Sequence, residues 1–327
     1  MSAPTDTTGD APRTSGTPRS RAKGTAGNAS TVRPSPALDL WRRVSDSPLS
    51  FLLPFLLVYG LFLVWPLLSG LWMSFTDIAL NGAGGSLVGP ANYAEALGDP
   101  MVWRTLGNTV MFTVITTVPL VVVALAMAVL VHTGMPGQWL WRLSFFLPFL
   151  LPVATVALVW NFLYIEDFGL FNQALRAFGA EGLGWLTDDG VALWSVALTT
   201  VWWTVGFNFL LYLAALQSIP DHLYEAAALD GAGAWARLRY VTVPQLRDIT
   251  VVVVLLQILA SLKVFDQIYL MTGGGPGDST RSLLLYIYDV GFTGYRFGYS
   301  AAVSYLFLAI VLLVAVVQLW LTTRRKA

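Results

Sequence analysis

Six long stretches of the sequence are apolar and almost free of charge, and they limit the folds open to this chain. They cover residues 51–76, 105–131, 143–164, 191–216, 249–271 and 299–323, and all but 249–271 lack Asp, Glu, Lys and Arg. A helix needs about 20 residues, at a rise of about 1.5 Å each, to cross the hydrocarbon core of a bilayer. Membrane-spanning strands would be shorter and would alternate between apolar and polar residues. The sequence therefore predicts an all-α membrane protein with six transmembrane helices.

The charged residues support this class and predict an orientation. Only 12% of the residues are charged, about half the share that a soluble surface requires. Fourteen of the nineteen Lys and Arg residues lie in the N-terminal tail, in the connections after the second and fourth spans, and at the C-terminus. Because basic residues are enriched on the cytoplasmic side of membrane proteins, we expect both termini in the cytoplasm and the chain in the cell membrane, surrounded by the lipid bilayer.

The chain divides into a polar tail and a membrane domain. Residues 1–48 are rich in Ser, Thr, Pro, Gly and Ala and predict a disordered cytoplasmic tail. They do not form a signal peptide, because the first apolar run is long enough to span. Residues 49–325 hold the six spans. The absence of cysteine and the presence of only two histidines argue against thiolate or histidine-rich metal sites, so no metal and no cofactor are expected.

The polar residues inside the spans are mostly neutral. Thr, Ser, Asn and Gln side chains there commonly hold helices together, or they could line a path for a neutral, hydroxyl-rich solute. The charged exceptions are Lys263 and Asp266, for which a local ion pair on one helical face is favoured over a contact with substrate. Prolines within the spans suggest kinked helices around a cavity; they are Pro54, Pro66, Pro119, Pro148 and Pro152.

A short charged insert, YEAAALDGAGAWARLRYVTVPQL at residues 224–246, separates the fourth and fifth spans. Pro220 and Asp221 suit the first turn of a helix, and Gly231 is placed to end that helix in a left-handed conformation. A second short helix is expected over Ala234 to Val241, with Pro244 preventing its continuation. The first helix has a small-sided face formed by Leu223, Ala226, Ala227 and Asp230. That face is suited to close approach by another protein, and a helix resting on lipid headgroups is the alternative.

The insert resembles the cytoplasmic EAA motif of the membrane subunits of bacterial ATP-binding-cassette importers. The residues that match in type and spacing are Glu225, Ala226, Ala227, Asp230, Gly231, Ala232, Leu238 and Pro244, with Leu238 standing where many members have Phe. The resemblance implies the type I importer permease fold and makes residues 218–246 a coupling loop that docks in a cleft of an ATPase subunit. Glu225 would then be a polar anchor to the ATPase, and Gly231 the bend between the two helices.

Further segments resemble the carbohydrate-importing branch of that family. These are GPANYAEAL after the first span, FDQIYLMTGGGPGDST at residues 265–280, and LLLYIYDVGFTGYRFGYSAA. The glycine-rich part, Gly273 to Gly277, lacks the Lys-Ser/Thr of a phosphate-binding loop and is interpreted as an external turn that abuts a substrate-delivering protein. The resemblance implies a second homologous permease, two copies of a cytoplasmic ATP-binding subunit and an extracytoplasmic solute-binding protein. No catalytic residues and no nucleic-acid partner are expected.

The register of the same family places candidate contacts with a sugar-like substrate on the helices before and after the insert. They are Thr200, Trp203, Thr204 and Phe207, followed by Gln257 and Ser261. The first four also form one i, i+3, i+4, i+7 stripe that joins hydroxyls to aromatic rings, although such a stripe is often packing. Ala260 falls at a further contact position and can make no side-chain hydrogen bond.

We therefore expect a non-enzymatic permease subunit that forms half of a sugar importer's pathway. A stand-alone secondary carrier is the alternative, and it would require an internal repeat and buried ionisable groups. A membrane-embedded enzyme would require clustered His, Asp or Cys at membrane depth. Neither pattern occurs in the sequence.

Overall fold

A computed structural model describes residues 48–323 except 80, 83 and 135. The predicted tail lies outside this part up to residue 47. The chain divides into two units, Met1–Leu61 and Phe62–Ala327, and all packing discussed below lies within the second.

The described chain is helical, and an isolated bridge between Thr76 and Leu87 is its only β-type pairing. The α-helices are α1 (Pro48–Tyr59), α2 (Trp65–Met73), α3 (Ala91–Gly98), α4 (Pro100–His132), α5 (Gln138–Phe146), α6 (Val153–Leu163), α7 (Leu170–Ala177), α8 (Ala192–Leu216), α9 (Asp221–Leu229), α10 (Ala234–Arg237), α11 (Val243–Gln245), α12 (Arg247–Leu262), α13 (Asp266–Met271), α14 (Leu283–Tyr288) and α15 (Phe297–Thr323). Short π-helices occupy Gly60–Val64, Leu238–Thr242 and Asp289–Thr293, and a 3₁₀ turn occupies Leu147–Leu150.

Four helical stretches in the described part are long and apolar enough to cross a membrane. They are Leu52–Met73, Pro100–His132, Ala192–Leu216 and Phe297–Trp320. Two bent helix pairs bring the number to as many as six if each pair is one span: Gln138–Leu150 with Val153–Leu163, bent by 98°, and Ala234–Gln245 with Arg247–Leu262, bent by 65°. The all-helical membrane class predicted from the sequence is confirmed, and two of the predicted spans are broken.

Helices α4 and α8 form the centre of the fold. One face of α4, which includes Ala124 and Ala128, is completely buried against Phe209, Tyr212 and other residues of α8. Small side chains allow close approach of helix backbones in membranes. Four of the five threonines of α4 donate their hydroxyl hydrogens to the carbonyl four residues back, which satisfies a buried polar group locally; they are Thr105, Thr109, Thr113 and Thr116.

The third predicted span, 143–164, is not one continuous helix. Leu151 has extended backbone angles, φ −75° and ψ 139°, as is usual for a residue that precedes proline, here Pro152. The chain turns by 98° at this point. Trp203 of α8 donates its indole N–H to the carbonyl of Leu151 at 3.1 Å, so a carbonyl at the break has a hydrogen-bond partner. In this span, Pro148 and Pro152 therefore lie at a break between two helices rather than at a kink within one helix.

The fifth predicted span, 249–271, is also divided. Helix α12 ends at Leu262, and α13 begins only at Asp266. The turn between them places Val264 and Ile268 in one buried cluster with Trp160 and Tyr164. Val264 in the turn and Ile268 after it are both buried, and this packing favours a break over a straight helix.

Candidate functional site

A polar cavity of about 190 Å³ lies between α4, α8 and the end of α12. Four of the six predicted substrate contacts line it: Thr200, Thr204, Gln257 and Ser261. Ala260 is also in its wall. The structure therefore brings residues of two helices, almost 60 positions apart in the sequence, to a single cavity.

Gln257 and Ser261 belong to a buried hydrogen-bond chain that joins three helices. The amide of Asn208 on α8 donates to Gln257 Oε1 at 3.0 Å, and Gln257 Nε2 lies 3.4 Å from Ser261 Oγ. Ser261 Oγ is in turn 3.0 Å from Thr116 Oγ1 on α4. Both Gln257 and Ser261 are less than 10% exposed. These two side chains thus hold the helices together as well as lining the cavity.

Thr200 and Thr204 have spare acceptor capacity toward the cavity. Their hydroxyls donate to Val196 O at 2.8 Å and to Thr200 O at 2.7 Å. A hydroxyl that has given its hydrogen to the backbone still has oxygen lone pairs free. A solute hydroxyl could donate to either oxygen, so these two residues are the most suitable for a direct polar contact.

Trp203 and Phe207 do not line this cavity. The Trp203 indole is held by Leu151 at the break between α5 and α6. The ring of Phe207 stacks on Phe149, with centroids 5.4 Å apart and an interplanar angle of 28°, and Phe207 remains 39% exposed. The predicted stripe is therefore divided, because its hydroxyls face the cavity and its rings contact the broken span.

The interpretation of Lys263 and Asp266 as an ion pair is wrong. The ion pairs among the described residues are Arg281–Asp278, Arg281–Asp289 and Arg296–Glu95. The spacing argument assumed one continuous helix, whereas α12 ends before Lys263 and α13 begins at Asp266. Both side chains are exposed and both line the polar cavity. Their position as the only charges within the six apolar stretches was the sequence signal for this role.

The insert forms two helices, α9 and the run from α10 to α11. Gly231 follows α9 with φ +77°, and the N–H of Ala232 donates to Ala227 O at 2.9 Å. These features define a helix C-cap of the Schellman type. Pro220 lies just before the helix, at its N-cap, rather than within its first turn.

The second helix of the insert extends further than the sequence predicted. It continues through the π-helical turn Leu238–Thr242 to Gln245, and Pro244 lies within its last segment. Proline is tolerated there because Pro244 occupies the first turn of that segment. The Tyr224 and Thr242 hydroxyls lie 3.1 Å apart and connect the two helices of the insert.

The predicted docking residues of the insert divide between surface and interior. Glu225, Ala226 and Asp230 are exposed, whereas Leu223 packs against the buried cluster of α4 and α8. Expecting Leu223 on the free face was therefore wrong. Of the remaining predicted residues, Gly231 and Pro244 are exposed and the others are partly exposed: Ala227, Ala232 and Leu238.

Three large apolar side chains lie on the surface of the insert and were not predicted from the sequence. Leu229 is 90% exposed, Tyr240 76% and Trp235 75%. Exposed apolar patches of this kind commonly mark contact surfaces. Their signal was present in the sequence as bulky residues within an otherwise small and charged segment.

The glycine-rich turn is fixed against the start of α4. Arg104 donates to Gly277 O at 2.6 Å, and the Asn108 amide donates to Asp278 O and Arg281 O at 2.8 and 3.1 Å.

The Asp99 carboxylate, just before α4, accepts hydrogen bonds from the backbone N–H of Met101 and from two tyrosine hydroxyls, those of Tyr286 and Tyr299. Burial raises the pKa of Asp99, but these hydrogen bonds outweigh it and hold the pKa below its ordinary value. Within the described residues, no group of three or more His, Asp or Glu side chains could hold a metal ion.

The described chain is thus all-helical, with a polar cavity between its helices and a two-helix insert. Residues 110–327 match the family described as binding-protein-dependent transport system inner membrane component. The chain is 34% identical over 282 residues to the sulfoquinovosyl glycerol transport system permease protein SmoG of Agrobacterium fabrum, covering 85% of this chain and 92% of that protein. It is 32% identical over 268 residues to the trehalose/maltose transport system permease protein MalF of Thermococcus litoralis, covering 82% and 90% of the two chains.

A solved structure supports the same fold. A chain of a bacterial ABC transporter involved in the import of the acidic polysaccharide alginate superposes with a TM-score of 0.76 at 22% identity, covering 88% of this chain and 99% of that one. The protein belongs to the family of inner membrane components of binding-protein-dependent transport systems. It is a permease subunit, and the stand-alone carrier considered from the sequence is excluded by this membership.

Proposed function

We propose that the chain imports a sugar or a sugar-like solute, and that the insert transmits ATP-driven movement to the cavity. The observation that carries this proposal is the continuous packing of α8 from the insert to the cavity. At one end, Leu213 and Leu216 share a buried cluster with Leu223 and Tyr224 of the insert. Toward the middle of the helix, Thr200 and Thr204 line the cavity.

The chemistry of the cavity supports a hydroxyl-rich solute. Thr200 and Thr204 offer acceptors, and Gln257 offers an amide within reach of the same space. Lys263 and Asp266 add one charge of each sign at its edge. Similar proteins support the class, because they include permeases of trehalose/maltose, lactose and sulfoquinovosyl glycerol transport systems.

The partners follow from the same proposal. The importer would combine this chain with a second homologous permease, two copies of a cytoplasmic ATP-binding subunit and an extracytoplasmic solute-binding protein. No Gly-x-x-x-x-Gly-Lys-Ser/Thr sequence occurs in this chain, so the nucleotide would be hydrolysed by the ATP-binding subunits. The exposed side chains of the insert, Glu225 with Leu229 and Trp235, would form the contact with an ATPase.

Differential contact would provide the coupling. A partner can shift an equilibrium between two conformations only by the difference in its affinity for them. ATPase subunits that hold the insert differently when open and closed would bias α8, and with it the side of the membrane to which the cavity opens.

The assignment of this cavity as the solute site is tested by a substitution that removes one hydroxyl and nearly preserves the volume of the side chain. Thr204→Val in the reconstituted importer should raise the KM for the transported sugar about threefold to tenfold, the loss expected for one neutral hydrogen bond. Thr105→Val is the matched control, because Thr105 makes the same backbone hydrogen bond far from the cavity. Equal KM values for wild type, Thr204→Val and Thr105→Val would refute the assignment.

A further inference from the structure

A second and larger cavity, of about 410 Å³, lies between the insert and the end of α4. Its polar wall consists of His132 and Thr133 at the end of α4, Tyr224 on α9, and Arg237 and Thr242 on the second helix of the insert. No Asp or Glu is among the described residues that line it. The wall therefore combines a guanidinium, an imidazole and three hydroxyls with no carboxylate.

Arg237 is the unusual member of this wall. Its Nε is buried and has no hydrogen-bond partner, and its guanidinium takes part in no ion pair within the described residues. Arg142 and Arg281 also have a buried Nε without a hydrogen bond, but Arg142 donates to Gln138 and Arg281 pairs with Asp278 and Asp289. Arg104, Arg176 and Arg296 all donate to oxygen atoms of the chain. A guanidinium has only donors, and a buried donor without a partner is unfavourable. Among the residues that the structure describes, none accepts a hydrogen bond from Arg237 Nε.

The rest of the wall defines the chemistry of that acceptor. The Tyr224 and Thr242 hydroxyls, 3.1 Å apart, line the same cavity as Arg237, and the imidazole of His132 offers a ring N–H. The C-terminal end of α4 carries a partial negative charge, so an anion in the cavity depends on the side-chain donors of the wall, of which Arg237 is charged. Val129, Leu216 and Leu238 add apolar surface, which suits an anion attached to an organic group. A volume of about 410 Å³ is sufficient for a small ligand.

We propose that this cavity binds a phosphate group carried by a small organic molecule, with Arg237 as the principal donor. The phosphate could belong to an anionic phospholipid headgroup or to a soluble phosphate ester, since both present the same oxygens to a guanidinium. Because the wall includes residues of α4, α8 and both helices of the insert, occupancy fixes the insert relative to the spans. The effect on transport rests on the proposed coupling role of the insert, whereas the binding itself does not.

The large exposed side chains of the insert are a separate surface. Leu229, Trp235 and Tyr240 are not among the lining residues. A partner protein can therefore dock on them without entering the cavity. An acidic side chain of that partner in the cavity is the competing occupant, and it is an outcome of the test below.

The experiment uses the complete importer in a maltoside detergent, which carries no phosphate. In one arm, glycerol phosphate is titrated and binding is followed by the shift in unfolding temperature and by calorimetry. In the other arm, phosphatidylglycerol is added to the micelles. The variants are Arg237→Gln and Arg239→Gln; Arg239 carries the same charge two residues away but does not line the cavity.

We expect one of the two phosphate sources to stabilise the wild type and the Arg239→Gln variant equally. Arg237→Gln should weaken that binding about tenfold or more, as expected for the loss of a charge-assisted hydrogen bond. The responding arm identifies the source. If Arg237→Gln does not assemble, Tyr224→Phe gives the same test through loss of one hydroxyl. Absence of binding in the assembled wild type, as when a partner's side chain fills the cavity, overturns the proposal, and so does equal weakening by the two arginine variants.

Discussion

Substitutions at Gly231 test the role of the insert, because they can vary the backbone strain at this residue in steps without a steric clash at Cβ. Its φ is +77°, and a Cβ at this position would meet no atom within 4 Å. Gly231→Ala therefore changes only the cost of the left-handed conformation, about 1–2 kcal/mol. Asn tolerates this region better than Ala, and the β-branched Val tolerates it worst. If the ATPase requires this bend, docking affinity should fall about fivefold to 30-fold for Gly231→Ala, with Asn milder and Val more severe.

The assay is the affinity of purified ATPase subunits for the reconstituted permease, measured together with solute-stimulated ATP hydrolysis. Gly179 is the matched control, because it also has φ +77° and an open Cβ position but follows α7, far from the insert in sequence. Gly179→Ala and Gly179→Val should have a similar backbone cost and leave docking unchanged. The reasoning is refuted if the three Gly231 variants dock like wild type, or if Asn is as harmful as Val.

Three further predictions concern other parts of the molecule. Gly206→Ala should disrupt folding or assembly, seen as loss of the monodisperse peak in size-exclusion chromatography, because its Cβ would lie 2.3 Å from Phe145 O; normal assembly would contradict the close packing of α8 on the broken span. Because the pKa of Asp99 is lowered in the folded chain, its stabilising contribution is complete well above pH 3.8 and is lost as the pH falls below that value. The difference in unfolding temperature between wild type and Asp99→Asn should therefore shrink in that range, and a difference independent of pH would exclude this cause. Lys263→Gln and Asp266→Asn should each change the KM for solute while stability is retained, whereas equal losses of stability in both variants would restore the ion-pair interpretation.

The sequence was sufficient for the class and for the insert, because both depend on local signals. Uniform apolar length requires helices whatever packs around them, and a glycine followed by a change of helix direction is a local backbone property. The left-handed Gly231 was accordingly predicted, and the structure has it. The resemblance of the insert to the importer motif then supplied the family.

The broken spans could not be derived in the same way. The stretch 143–164 is uniformly apolar, so nothing in its periodicity distinguishes a kink at Pro152 from a turn of 98°. The turn depends on contacts with α8, where Trp203 bonds to the carbonyl of Leu151 and Gly206 allows Phe145 to approach. Those partners are about 50 residues away in the sequence. The mistaken pairing of Lys263 with Asp266 has the same origin, because spacing along a helix has meaning only where the helix is unbroken.

Helix α8 explains how movement of the insert would reach a cavity well inside the membrane domain. From Leu216 to Thr204 is twelve residues, or about 18 Å along a helix axis, and α8 is continuous over that length. Its buried face packs on α4 through Ala124 and Ala128, so the two helices would move together. The chain bends at Leu151 before α8 and, after it, at Gly231 and Leu246. If α4 and α8 move together, a displacement of the insert would become a displacement of the cavity wall.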